Sequence, residues 1–291
     1  MNDYSRPGTD TPERKKVAFV LSGAGNQGAL EVGVLLSLFE HNIRPDILVG
    51  TSVGAINAAA IAINPTLEGA QWLETLWRGV TKEDIMPNSY LSMVWRLVRG
   101  HSSVFDNENL RAFLESQLPE GIRQFGDIKE TELYITAVDL HTGDLRVFGI
   151  NRTESLVDAV MASTALPPFL SPWQYQGREY VDGGVISDLP IRVALEMNAT
   201  ETYAIGVYQR QRARKSLRGI FRVISQIVSI VSYQRLLDEL GWCSTLAKGG
   251  IPYIGVDAFE GLRFWDFSHT EEMLEKGKQV GERYLREHGL A

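Results

Sequence analysis

Cysteine is almost missing from this 291-residue chain: Cys243 is the only one. No intramolecular disulfide can form, so the fold has to be held by its core. A lone cysteine suits a reducing compartment and a cytoplasmic location, and the residue itself reads as a small buried apolar group. Positive charge is also short. Lys and Arg total 29 against 36 Asp and Glu, for a formal net charge of -7, which argues against a general nucleic-acid binder and its basic footprint. Long apolar runs are lacking too. Ile47 to Ile63 is the longest, and Gly50, Thr51, Ser52, Gly54 and Asn57 interrupt it, so it falls short of a membrane span. The five histidines, at 41, 101, 141, 269 and 288, hold no H-E-x-x-H spacing, and no metal is expected. Residues 1–16 are polar, carry Pro7, Gly8 and Pro12, and have no apolar centre of the signal-peptide kind. They read as a flexible tail.

Hydrophobic residues make up 44% of the chain, enough for a sizeable core. Val17-Ala18-Phe19-Val20-Leu21 is a short apolar run that ends in the glycine loop Gly23-Ala24-Gly25-Asn26-Gln27-Gly28. Leu30, Val34, Leu35 and Leu38 then recur at helical spacing. Ile47-Leu48-Val49 supplies a second strand, followed by Gly50-Thr51-Ser52-Val53-Gly54 and the apolar helix pattern Ala55 to Ile63. Two strand-loop-helix units in succession predict a parallel sheet with helices on its faces. Further strands are expected at 133–138, 145–148, 202–207 and 252–256, and helices near 65–79, 107–117, 156–163 and 190–197. Ser268-His269-Thr270-Glu271 has capping-box form and opens a last helix through Met273, Gly277, Val280 and Tyr284.

Two segments break this alternation. Ile85 to Phe105 mixes Met86, Tyr90, Trp95 and Leu97 with Arg96 and Arg99, a composition that suits either a cover over a site or an ordinary packed insertion. The second begins with the basic run Arg210-Gln211-Arg212-Ala213-Arg214-Lys215 and continues as a basic amphipathic helix near 216–240. Leu217, Ile220, Phe221, Ile224, Ile227, Val228 and Val231 share one face there, with Arg218, Arg222, Ser225, Ser229 and Ser232 on the other. Such a helix can pack on its own core or lie on anionic lipid.

The chemistry-bearing residues fall in three places. G-x-S-x-G at 50–54, entered from a strand and left by a helix, is the pattern of a nucleophile elbow that lifts the Ser52 hydroxyl toward a substrate. The loop Gly23 to Gly28 fits G-x-G-x-x-G, which also occurs in dinucleotide sites; those want an acid at the end of the next strand, where this chain has Gly50-Thr51-Ser52. Backbone N–H groups of the same loop would serve beside a serine as an oxyanion hole. Asp182, in Tyr180-Val181-Asp182-Gly183-Gly184-Val185, can project from a turn into a cleft as a partner for the serine. His269 and His288 are the histidines available for a Ser-Asp-His order, and their positions read as surface.

With these three motifs in this order the sequence resembles the patatin-like phospholipase family. The stretch Ala162-Ser163-Thr164-Ala165-Leu166-Pro167-Pro168-Phe169 and Leu189-Pro190 add to the resemblance, which covers about residues 17–198. It implies a three-layer α/β/α sandwich with a mostly parallel central sheet as catalytic domain over 17–198; the remaining 199–291 read as a C-terminal extension packed on the same domain. It also implies a Ser-Asp dyad, Ser52 the nucleophile and Asp182 its base, acting on fatty-acyl esters without cofactor. The chain departs from the family at Ala24 and Gln27, where a glycine and a cation are usual. Ala24 is tolerable only with negative φ, and Gln27 takes a positive group away from the oxyanion region. Peripheral contact with a membrane surface would suit such an enzyme; a catalytically weak lipid-binding or regulatory protein and a dinucleotide binder stand as the alternatives.

Overall fold

The protein is described from a computed structural model, which covers residues 15–81, 107–167, 169–208, 220–246, 251–260, 262 and 266–291. Ile85 to Phe105 and the basic run at 210–215 lie outside these residues.

Apolar strands with β-branched residues build the centre. β1 (Val17–Leu21), β2 (Ile47–Thr51), β3 (Glu132–Asp139), β7 (Glu201–Tyr208) and β8 (Tyr253–Asp257) run parallel in the order β3-β2-β1-β7-β8. β4 (Leu145–Phe148) and β6 (Arg178–Asp182) pair antiparallel to β3, and β5 (Trp173–Tyr175) pairs antiparallel to β6. The sheet is therefore mixed, with a parallel core and an antiparallel side. Because strand side chains alternate, β1 sends Phe19 and Leu21 to one face and Ala18 and Val20 to the other, and both sets are fully buried.

Helices α1 (Ala29–Glu40), α2 (Val53–Ile63), α3 (Leu67–Gly79) and α8 (Thr270–Glu287) contribute to the core that holds Phe19, Leu21 and Leu48. On the opposite face α6 (Ile191–Glu196) and α7 (Ile220–Leu246) cover Ala18, Val20, Ile47 and Val49, with Leu236 and Cys243 of α7 buried there. Cys243 thus fills the apolar role its isolation suggested, and burial pushes its thiol up to about 11. α4 (Glu108–Gln117) and α5 (Leu156–Thr164) complete the described helices.

α1 and α8 approach closely through glycine. A Cβ on Gly277 would stand 2.0 Å from the Leu30 carbonyl oxygen, and one on Gly33 would stand 2.2 Å from that of Leu274. α8 starts at Thr270, but the capping box does not form: His269 is the N-cap without a side-chain bond, and the Ser268 hydroxyl donates to Asp266 instead. Lys15 and Lys16, read from sequence as the end of a tail, pair with the start of β7, Lys15 Nζ to Glu201 and Lys16 N–H to Thr200.

Candidate active site

Register brings the three motifs to one edge of the sheet. Leu21 pairs with Gly50 across β1 and β2, and Thr51 pairs with Thr136 across β2 and β3. β6 stops at Asp182 opposite Ala137, the next residue of β3. The chain leaves the sheet there, so Asp182 sits beside the strand next to the elbow. Thr51 fastens the three segments: its hydroxyl lies 2.6 Å from that of Thr136 and 3.3 Å from the Ser187 carbonyl oxygen.

At Ser52 the backbone has φ 54° and ψ -126°. This left-handed region costs a non-glycine residue about 1–3 kcal/mol and persists only where surrounding structure enforces it. The flanking glycines show how. A Cβ on Gly50 would stand 2.4 Å from the Gly54 carbonyl oxygen, and one on Gly54 would stand 2.5 Å from that of Ser22. The Ser52 N–H donates to Ser163 Oγ of α5 at 2.8 Å. The side chain is left half-buried at the N-terminus of α2, where the helix dipole favours negative charge.

Asp182 is buried, at 3% exposure. Burial raises its carboxyl to about 6, against the lowering effect of the Ser52 hydroxyl and of the Gly184 N–H, which donates to Oδ1 at 2.8 Å. Gly183 is held against β3, since a Cβ there would stand 2.6 Å from the Thr136 carbonyl oxygen. No histidine among the described residues hydrogen-bonds to Ser52 or Asp182. His288 bonds through Nδ1 to the Tyr284 carbonyl, and His269 faces Phe259 with ring centroids 6.0 Å apart.

The glycine loop divides its tasks. The Gly23 N–H donates to the Asp188 carbonyl at 3.1 Å, and those of Gln27 and Gly28 donate back to Ala24 and Gly25. Among the described residues, the N–H groups of Ala24 and Gly25 have no acceptor. Ala24 has φ -135°, an ordinary value for alanine, while Gly25 takes φ 55°. The Gln27 side chain is held by the C-terminal segment. Its amide bonds to both the carbonyl and the N–H of Phe259, at 3.0 and 2.6 Å, as Asn26 bonds to the Asp266 carbonyl.

Beneath the loop lies a polar chain that the motifs do not signal. Glu31 of α1 accepts from the Ser22 N–H at 2.8 Å, the Ser22 hydroxyl at 3.0 Å and Asn57 Nδ2 at 2.9 Å. Asn57 also donates to the Gly28 carbonyl and accepts from Trp77 Nε1. Burial pushes the Glu31 carboxyl up to about 8 despite these donors. Asp46, the acid nearest to the second strand, accepts from the Val17 N–H at the far end of β1 and so stands away from the glycine loop.

The sequence pattern of the Patatin-like phospholipase family matches residues 19–195. The chain is 28% identical to the uncharacterized protein YqhO of Bacillus subtilis over 92% of its own length and 97% of that protein's. It is 29% identical to patatin-like phospholipase domain-containing protein 7 of Rattus norvegicus, over 67% of this chain and 14% of that one. It is also 26% identical to lysophospholipase NTE1 of Meyerozyma guilliermondii, over 66% of this chain and 12% of that one. In structure it resembles VipD from Legionella pneumophila with a TM-score of 0.51 at 12% identity, covering 95% of this chain and 67% of that one. The pattern spans more than half of the chain, and the chain belongs to the patatin-like phospholipase family.

Proposed function

We propose that the protein is a serine acyl hydrolase that cleaves fatty-acyl esters with Ser52 as nucleophile and Asp182 as base. The observation that carries this reading is the strained backbone of Ser52, φ 54° and ψ -126°, which presents its hydroxyl to a buried carboxylate. Such strain gathers at functional sites because packing elsewhere sustains it.

Ser52 Oγ attacks the ester carbonyl carbon as its proton passes to Asp182. An ordinary aspartate is a weak base for a hydroxyl; burial, by raising Asp182 to about 6, brings it closer to the task. The N–H groups of Ala24 and Gly25 are the free donors for the oxyanion, and the loss of one such donor costs about 10²–10³ in rate. Collapse breaks the bond to the alcohol, which departs with the proton from Asp182. A water deprotonated by Asp182 then attacks the acyl-enzyme, and the fatty acid and Ser52 are released.

Family membership and the lysophospholipase named among the relatives support a fatty-acyl lipid as substrate. A lipid surface as its source is supported by α7, where Val223, Ile227, Ile230 and Val231 are exposed. No helix among the described residues is long and apolar enough to cross a membrane. The same helix is joined to the active-site edge: Glu239 accepts from the Ser187 hydroxyl at 2.8 Å and from the Arg192 N–H at 3.0 Å.

Turnover of a soluble short-chain acyl ester tests the assignment. Ser52→Ala should fall to background, and Asp182→Asn should lose about 10²–10⁴-fold, the range of a positioned general base. Wild-type turnover in either variant contradicts it.

A further inference from the structure

Asp188 is an acid of the site that the proposed reaction leaves without a task. Its backbone is pinned on both sides, by Thr51 Oγ1 donating to the Ser187 carbonyl at 3.3 Å and by the Gly23 N–H donating to its own carbonyl at 3.1 Å. Its side chain is thereby directed into the gap between the glycine loop and Asp182. A Cβ on Gly23 would stand 2.5 Å from Asp188 Oδ1 and 3.3 Å from Ser52 Cβ. One on Gly184 would stand 3.1 Å from Asp188 Oδ1 and 3.1 Å from Asp182 Oδ1. Two carboxyls thus converge over one glycine, beside the serine. Among the described residues neither has a Lys, Arg or His within ion-pair distance.

Carboxyls so placed cannot both ionise cheaply, and one keeps its proton. A second negative charge there would also oppose the oxyanion that must form at the same loop. We propose that Asp188 is a positioning acid that acts in its neutral form, holding the proton of the pair so that Asp182 remains the ionised base and the oxyanion loop faces one negative charge rather than two. This inference rests on the Ser52–Asp182 reading.

The order of titration agrees. Burial, and then the charge of Asp182, raise Asp188 to about 8 against the lowering effect of the Gly23 N–H, while Asp182 is raised to about 6. Among the described residues the other titratable groups that act on this pocket are Glu31, beneath the glycine loop and itself raised to about 8, and Tyr253 of β8, whose phenol is raised by burial. Glu31 could titrate over the same range, so the variant has to be made at Asp188.

The test is the pH profile of kcat/KM on a neutral, soluble acyl ester, for wild type and Asp188→Asn, which keeps a neutral side chain at every pH. Wild type should decline above about pH 8, approaching tenfold per pH unit. The ratio of the Asp188→Asn rate to the wild-type rate should then climb about fivefold from pH 8 to 9 and about tenfold from pH 9 to 10. A constant ratio, or a wild type without an alkaline limb, overturns the proposal. Thermal unfolding supplies a readout that needs no turnover. A carboxyl raised in the folded state contributes stability below its unfolded value of 3.8, and that contribution is lost as pH rises through about 8. The midpoint of Asp188→Asn should therefore gain on wild type between pH 5 and pH 8.5, and a constant difference overturns the proposal. Should Asp188→Asn fail to fold, Asp188→Ser is read in the same way. Loss of Ser52-dependent hydrolysis together with a growing midpoint difference would overturn the hydrolase reading and leave the neutral acid standing.

Discussion

Asp182 carries two opposed demands in one side chain. Burial favours its proposed role as base, and the same burial makes its charge costly to the fold. Its carboxyl is raised from 3.8 to about 6, so its contribution to stability is present below pH 3.8 and is lost as pH rises through about 6. Asp182→Asn removes the charge that has to be buried at neutral pH. The variant should lose most of its activity yet be more stable than wild type above pH 6, by at most on the order of 3 kcal/mol, with the advantage shrinking toward pH 4. Thermal midpoints measured across that range check it; an advantage that does not vary with pH contradicts the account. At this scale Ser52 and Asp182 could be found because glycines announce them. Asp188 could not, since an acid before Leu189-Pro190 reads as ordinary loop until Gly23 and Gly184 are seen against it. Glu31 was hidden differently. The helical spacing of Leu30, Val34, Leu35 and Leu38 suggests one apolar face, but α8 and α3 flank α1 and every residue from Ala29 to Phe39 is buried.

Among the elements, strands with strong apolar runs were found within a residue or two, because a buried parallel strand shows its burial directly. The hairpin of β5 and β6 was not foreseen as a pair. Its turn, Gln176-Gly177, has positive φ at both residues, and glutamine lacks the short side chain that makes Asn-Gly or Asp-Gly a recognisable turn of this kind. That hairpin makes the side of the sheet antiparallel and delivers Asp182. α7 was legible as a helix, and its described side chains show Ile227 and Val231 exposed alongside Val223 and Ile230 rather than packed inward. If this stripe meets lipid, Ile227→Glu with Val231→Glu should lower hydrolysis of an acyl ester presented in anionic vesicles about tenfold. This corresponds to about 1.4 kcal/mol, within what partial burial of two such side chains supplies. Turnover of a soluble short ester should not change, and equal losses on both substrates would place the effect in the fold.

Across the whole molecule, the residues beyond the family match are part of the same framework. β7 pairs with β1 and β8 with β7, α8 seats its glycines on α1, and Phe259 and Asp266 hold Gln27 and Asn26 of the glycine loop. The Gln27 amide therefore anchors the loop to the C-terminal segment. This could not be read from sequence, since 232 residues separate Gln27 from Phe259. The arrangement holds the strained Ser52 beside the buried Asp182 and the N–H groups of Ala24 and Gly25, which have no acceptor among the described residues, as the proposed reaction needs. The most direct test of that claim is the intact mass of the protein after exposure to a fluorophosphonate, with the modified peptide identified. The account predicts one adduct per chain, on Ser52, absent in Ser52→Ala and formed at least about tenfold more slowly in Asp182→Asn. An adduct on another residue, or equal labelling of Ser52→Ala, would contradict it.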